Sequence, residues 1–127
     1  MLKQEANTKI LLWLDDYRNP FENDYEWLKY YSPWDITQVP TSIVWCKDYD
    51  EFEKAINSFG FPDGICFDHD LGDGKSGYDC AKLMVEKCLD NNVPFPPYNI
   101  QSANPVGRLN IQSLIENYNS HFDSVNF

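Results

Sequence analysis

The chain has 127 residues, 43% of them hydrophobic and 16% aromatic, with 20 acidic residues against 10 basic for a formal charge of −10. That length suits one domain, residues 1–127, built around one core. The charge argues against an extended nucleic-acid binding surface, which needs cations facing phosphates. It leaves room for a nucleic-acid end, a nucleotide, a basic protein partner or a divalent metal.

In chain order, the apolar run Ile10-Leu11-Leu12-Trp13-Leu14 predicts a first buried strand. At five residues, ended by two aspartates, it is too short for a secretory core or a membrane span, so no membrane is expected. Residues 17–41 contain Pro20, Pro33 and Pro40, which bar one long crossover helix and leave room for a short one near Glu22–Tyr31. This segment also carries Tyr17, Phe21, Tyr25, Trp27, Tyr30, Tyr31 and Trp34. Its rings could stack on a base, but they are better suited to cover a sheet face that lacks a full helix. Strands are expected at residues 42–46, 64–67 and 98–102. Asp48 can cap a helix with the stripe Phe52, Ala55, Ile56 and Phe59, with Glu51 placed for a capping box and Gly60 as the stop. Ser76 can cap a second helix with Tyr78, Ala81, Met84, Val85 and Cys88 inward. Asn104-Pro105 opens a third, with Ile111, Leu114, Ile115 and Tyr118 inward. Strands alternating with helices predict a parallel α/β sheet with right-handed crossovers. Cys46, Cys66, Cys80 and Cys88 contain no Cys-x-x-Cys pair, so neither a zinc knuckle nor a redox motif is expected. A reduced cytoplasmic setting, in a bacterial or phage-infected cell, is the simpler reading.

Function in such sheets gathers at the carboxyl ends of the strands. Asp15-Asp16 follows the first strand and Asp68-His69-Asp70 the third. If those strands are neighbours, four carboxylates and one imidazole share a crevice. Like charges repel there, so such a cluster holds a cation or tunes its proton affinities. Asp15, Asp16 and Asp68 are therefore the metal candidates, with Mg²⁺ or Mn²⁺ as the ion; the plainer alternative is that one of them caps a turn.

Asp15-Asp16, then Asp68, then Ser102-Ala103 follow the pattern of response-regulator receivers. That resemblance implies a flavodoxin-like three-layer domain with a short parallel sheet of order 2-1-3-4. Here the sheet is truncated, since neither a fifth strand nor the receiver lysine after it is found. Leu14-Asp15-Asp16-Tyr17-Arg18-Asn19-Pro20, Phe67-Asp68-His69-Asp70-Leu71-Gly72 and Ser102-Ala103-Asn104-Pro105-Val106-Gly107-Arg108 together more closely resemble the cyclic-phosphate-processing receiver-like domain family. The resemblance spans nearly the whole chain. It implies action on cyclic phosphate ends of RNA or related nucleotides. Members often carry His before the Ser of the last motif, where this chain has Gln101.

His69 is the best general acid–base candidate, its unperturbed pKa of ~6.5 lying near working pH. Alternation points it opposite Asp68 and Asp70, towards another wall of the crevice or the core, so a structural histidine is the competing reading. His121 reads as surface. Catalysis is assigned to His69, Asp70 and Asp68. Arg18, Lys75 and Arg108 could hold phosphate oxygens, with Lys47 a weaker candidate on the same rim. Lys75 lies in Gly72-Asp73-Gly74-Lys75-Ser76-Gly77, which lacks P-loop spacing and reads equally as a plain turn. Ser102 and Asn104 could bond a phosphate oxygen, although Asn104 alone reads first as a helix N-cap.

The expected activity is a metal-dependent opening of a cyclic phosphate to a monoester. One alternative is a non-catalytic receiver-like module that binds metal or a phosphorylated ligand and regulates a protein partner. Another is an acidic, phage-type interaction protein, its face made from Asp24, Glu26, Asp48, Asp50, Glu51 and Glu53. A solvated helix surface explains those residues equally well.

Overall fold

The computed structural model describes residues 8–72 and 74–126, without the side chains of residues 23–26. Asp24 and Glu26 of the acidic face, Tyr25, and Asp73 of the glycine loop therefore lie outside the described groups. Four parallel strands, β1 (Lys9–Leu14), β2 (Thr41–Cys46), β3 (Gly64–Phe67) and β4 (Tyr98–Ile100), form a sheet of order β2-β1-β3-β4. Three helices follow β2, β3 and β4 in turn: α1 (Tyr49–Phe59), α2 (Gly77–Asn91) and α3 (Pro105–Asn126). The connection from β1 to β2 holds a 3-10 helix, Glu22–Tyr30, where the sequence predicted a short helix between prolines.

Strand alternation divides β1 between two cores. Leu12 and Leu14, with Ile65 and Phe67 of β3, face α1, α2 and α3 through Phe52, Ala81, Met84, Ile111 and Ile115. Leu11 and Trp13, with Cys66, face the other way onto Leu28, Trp27, Tyr31 and Trp34. The aromatic segment thus forms the third layer, and Trp13, Trp27 and Tyr31 meet edge to face. Some of its rings remain outside: Tyr17 is 85% exposed and Tyr30 75%. Among the described residues, no helix is long and apolar enough to cross a membrane.

The helix caps follow the sequence with one shift. Asp48 accepts the Glu51 N–H at 2.8 Å, but Glu51 returns its bond to Lys47 N–H, one residue before the box position. Ser76 and Asp79 make a full capping box. Asn104 caps α3 by accepting the Gly107 N–H at 3.0 Å. Two details depart from the expected elements. Phe59, placed on the inner stripe of α1, is exposed: it is the last helical residue and lines an open groove beside β2. The fourth strand stops at Ile100 instead of residue 102, because Ser102 Oγ accepts the Asn104 N–H at 3.1 Å and turns the chain into α3. All four cysteines are free and buried, and burial pushes the Cys46 and Cys88 thiols up to about 12.

Candidate functional site

Register brings the acidic tips together. Trp13 pairs with Cys66, so Asp15 and Asp68 lie two residues past the same level on adjacent strands. Phe67 pairs with Ile100, which sets Gln101 beside Asp68. Asp15, Asp16 and Asp68 each offer a carboxylate oxygen within 4.8 Å of the others. Burial first, then the charges of Asp15 and Asp16, raise the Asp68 pKa to about 6.

Asp15 is 2% exposed and is held from several directions. Its Oδ1 accepts the backbone N–H groups of Tyr17 at 2.9 Å and Arg18 at 2.8 Å. Its Oδ2 lies 3.3 Å from Arg18 Nε, an ion pair whose geometry falls short of a hydrogen bond, so this buried oxygen has no hydrogen-bond donor. The loop itself hangs on two indoles. Trp45 Nε1 donates to the Asp15 carbonyl at 2.7 Å, and Trp13 Nε1 donates to the Arg18 carbonyl at 2.9 Å. Asp16 is exposed, and Gly72, at φ +79°, brings the loop after β3 alongside its carboxylate. Gly77 presses on the Asp68 carbonyl so closely that a Cβ there would sit 1.9 Å from the oxygen.

This donor set suits a hard divalent cation: three carboxylates, one of them carrying a buried oxygen with no donor, and one whose proton affinity its neighbours raise. A cation between them would relieve the repulsion that raises Asp68.

The remaining predicted residues fall into distinct places. His69 Nδ1 lies 2.9 Å from Asp70 Oδ1, and the ring rests on Gly107 of α3, where a Cβ would come within 2.3 Å of it. Asp70 is turned towards His69 and Asn104, whose Nδ2 lies 3.3 Å from Asp70 Oδ1; these two bonds lower its proton affinity. The crevice therefore holds three clustered carboxylates, with the fourth on the neighbouring wall beside the imidazole. Arg18 joins the cluster, its Nη2 donating to the Gln101 carbonyl at 3.1 Å and its guanidinium lying over Tyr31. Lys75 lies over the Tyr49 ring, 4.2 Å from its centre, in a shallow hollow lined also by Asp48, Asp50 and Gly74. Arg108 lines two hollows with Gln112, one beside β4 and one along the first turns of α3. Among the described residues, neither Lys75 nor Arg108 ion-pairs with a carboxylate. Lys47 covers the Trp45 ring, and Ser102 is buried, its hydroxyl oxygen accepting the Asn104 N–H at the turn. His121 is exposed on α3.

Sequence reasoning missed Trp13 and Trp45 as supports of the acidic loop. The available signal was that a buried indole N–H needs an acceptor. It also missed Gly77 and Gly107, whose closeness to Asp68 and His69 only the packed fold reveals.

A parallel sheet of order β2-β1-β3-β4, with helices on one face and aspartates clustered at its carboxyl edge, defines a receiver-like α/β domain. Residues 10–117 match the family model of the cyclic-phosphate processing receiver domain, and the chain belongs to that family. No curated protein matches the chain. Among solved structures, a fusion of a yeast Spc42 trimeric coiled-coil segment to another protein superposes with a TM-score of 0.57 at 17% identity. The match covers 84% of this chain and 61% of that one, and at this identity the likeness is one of fold.

Proposed function

We propose that the domain is a divalent-metal-dependent phosphoesterase that opens cyclic phosphate ends of RNA or nucleotides to monoesters. The convergence of Asp15, Asp16 and Asp68 carries this reading, and the family supplies the substrate class. Mg²⁺ or Mn²⁺ held by those three residues would polarise the phosphorus–oxygen bonds. Water adds to phosphorus and gives up a proton, the bond to one ribose oxygen breaks, and that oxygen takes up the proton. In the tautomer that donates Nδ1–H to Asp70, His69 keeps Nε2 as the ring atom that moves the proton. Arg18 and Arg108 offer charge to the phosphoryl oxygens, with Lys75 as a mobile third cation. Ser102 and Asn104 support the turn into α3 and, through Asp70, the imidazole.

The test is a screen of 2′,3′-cyclic nucleotides and cyclic-phosphate RNA ends, with and without Mg²⁺ or Mn²⁺, against Asp68→Asn. Metal-dependent opening by the wild type and its loss in the variant support the proposal. Silence from both, with Mg²⁺-dependent stabilisation retained by the wild type, instead supports a non-catalytic receiver-like module. One observation favours that second reading: a cation needed for turnover is already engaged, Arg18 with Asp15 and Gln101.

A further inference from the structure

Gln101 has an unusual set of neighbours. Its Nε2 donates to the Leu14 carbonyl at 3.1 Å, one residue before Asp15. Its backbone N–H donates to the Phe67 carbonyl at 2.9 Å, one residue before Asp68. Its own carbonyl accepts Arg18 Nη2, and Arg18 is the ion-pair partner of Asp15. One residue, 8% exposed, therefore touches both strand ends that carry the metal candidates and the cation that sits on one of them. The backbone bonds join β4 to β3 and to Arg18 whatever the side chain. Only the carboxamide reaches across β3 to β1. Its Oε1 is buried and has no hydrogen-bond partner, the same condition as Asp15 Oδ2. A buried acceptor without a donor is costly, and an apolar side chain of similar shape would avoid that cost. The carboxamide is thus poorly explained as filler and well explained by what its donor holds.

We infer that Gln101 is a positioning residue: its side chain ties the end of β4 to the end of β1 and so sets the spacing of Asp15 and Arg18 against Asp68. It touches no substrate in this role; it acts through the Leu14 carbonyl and the loop beyond it. The inference rests on the metal reading of the acidic cluster in one respect only, that the fixed spacing serves a cation.

Trp13 and Trp45 report on this loop directly, because their indole N–H groups bond the Arg18 and Asp15 carbonyls. The experiment is an Mg²⁺ titration of the full chain monitored by NMR at those two indole N–H resonances. In Gln101→Met, the resonances should shift before any metal is added, and Mg²⁺ binding should weaken about tenfold, as when an outer support of a metal site is lost. Tyr118→Phe is the control. It removes a part-buried bond to the Val93 carbonyl, just after α2, and should cost comparable stability while leaving indoles and affinity unchanged. Should Gln101→Met fail to fold, Gln101→Leu removes the donor without adding a charge and should produce the same indole shifts. Unmoved indoles in either folded variant, or equal effects from Tyr118→Phe, overturn the inference. A wild type that binds no Mg²⁺ overturns the metal reading instead, while the metal-free indole shifts still decide the role of Gln101.

Discussion

Raising the Asp68 pKa from 3.8 to about 6 has a definite thermodynamic sign. The folded protein binds that proton more tightly than the unfolded chain, so the contribution to stability is complete below about pH 4 and is lost as pH rises through about 6. A pKa shift of about two corresponds to ~3 kcal/mol for a fully buried group, and solvent screening at this partly exposed carboxylate brings it to about 1 kcal/mol. Metal-free protein should therefore lose about that much stability between acid and neutral pH from this group, and Asp68→Asn should flatten the loss. Urea unfolding in the presence of a chelator, repeated across that pH range, measures both. Metal affinity should run the opposite way, falling as the proton competes below about pH 6. The three aspartates were legible in the sequence because runs of apolar residues announce strands, and a residue just past such a run sits at the carboxyl end of its strand. The supports of Asp15 were not legible in the same way. Gln101 bonds Leu14 across 87 positions of chain, a contact that no local pattern encodes.

At the scale of elements, the first turn of α3 does two jobs through one residue. Asn104 Oδ1 caps the helix by accepting the Gly107 N–H, while its Nδ2 holds Asp70, which in turn holds His69. Asn104→Ala should cost about 1 kcal/mol by loss of the cap, read as a shift in the urea midpoint. It should also free Asp70, whose carboxyl proton affinity should rise towards the ordinary aspartate value, read by NMR titration. Gly107→Ala probes the same seat from the other side. Its methyl would enter the His69 ring, so the ring must move, at a cost of about 1–3 kcal/mol. The cap was legible, since Asn-Pro before an amphipathic run is a helix start. The side to which His69 turns was legible only as an alternation, with the crevice wall and the core both open. The structure places it against α3, and Gly107 makes the room.

At the scale of the whole molecule, the fold spends its apolar residues on two unlike layers, three helices on one face and an aromatic segment on the other, and leaves its charge unbalanced at −10. Repulsion is then spread over the surface and, among the described residues, concentrated at the shared tips of β1 and β3. These two sources of strain respond differently to ions. Monovalent salt screens exposed charges over about 10 Å at about 0.1 M, so it should raise the melting temperature of wild type and Asp68→Asn alike. A divalent ion that binds the folded cluster should add a saturable increment, about 2.7 kcal/mol at a hundred times its dissociation constant. That increment should vanish in Asp68→Asn even at matched ionic strength. Thermal unfolding in NaCl and in MgCl₂ of equal ionic strength, for both proteins, separates the terms. Equal curves in the two salts would assign the stabilisation to screening of the whole acidic surface; a magnesium-specific rise confined to the wild type assigns it to the carboxyl edge, where strand register brings Asp15 beside Asp68.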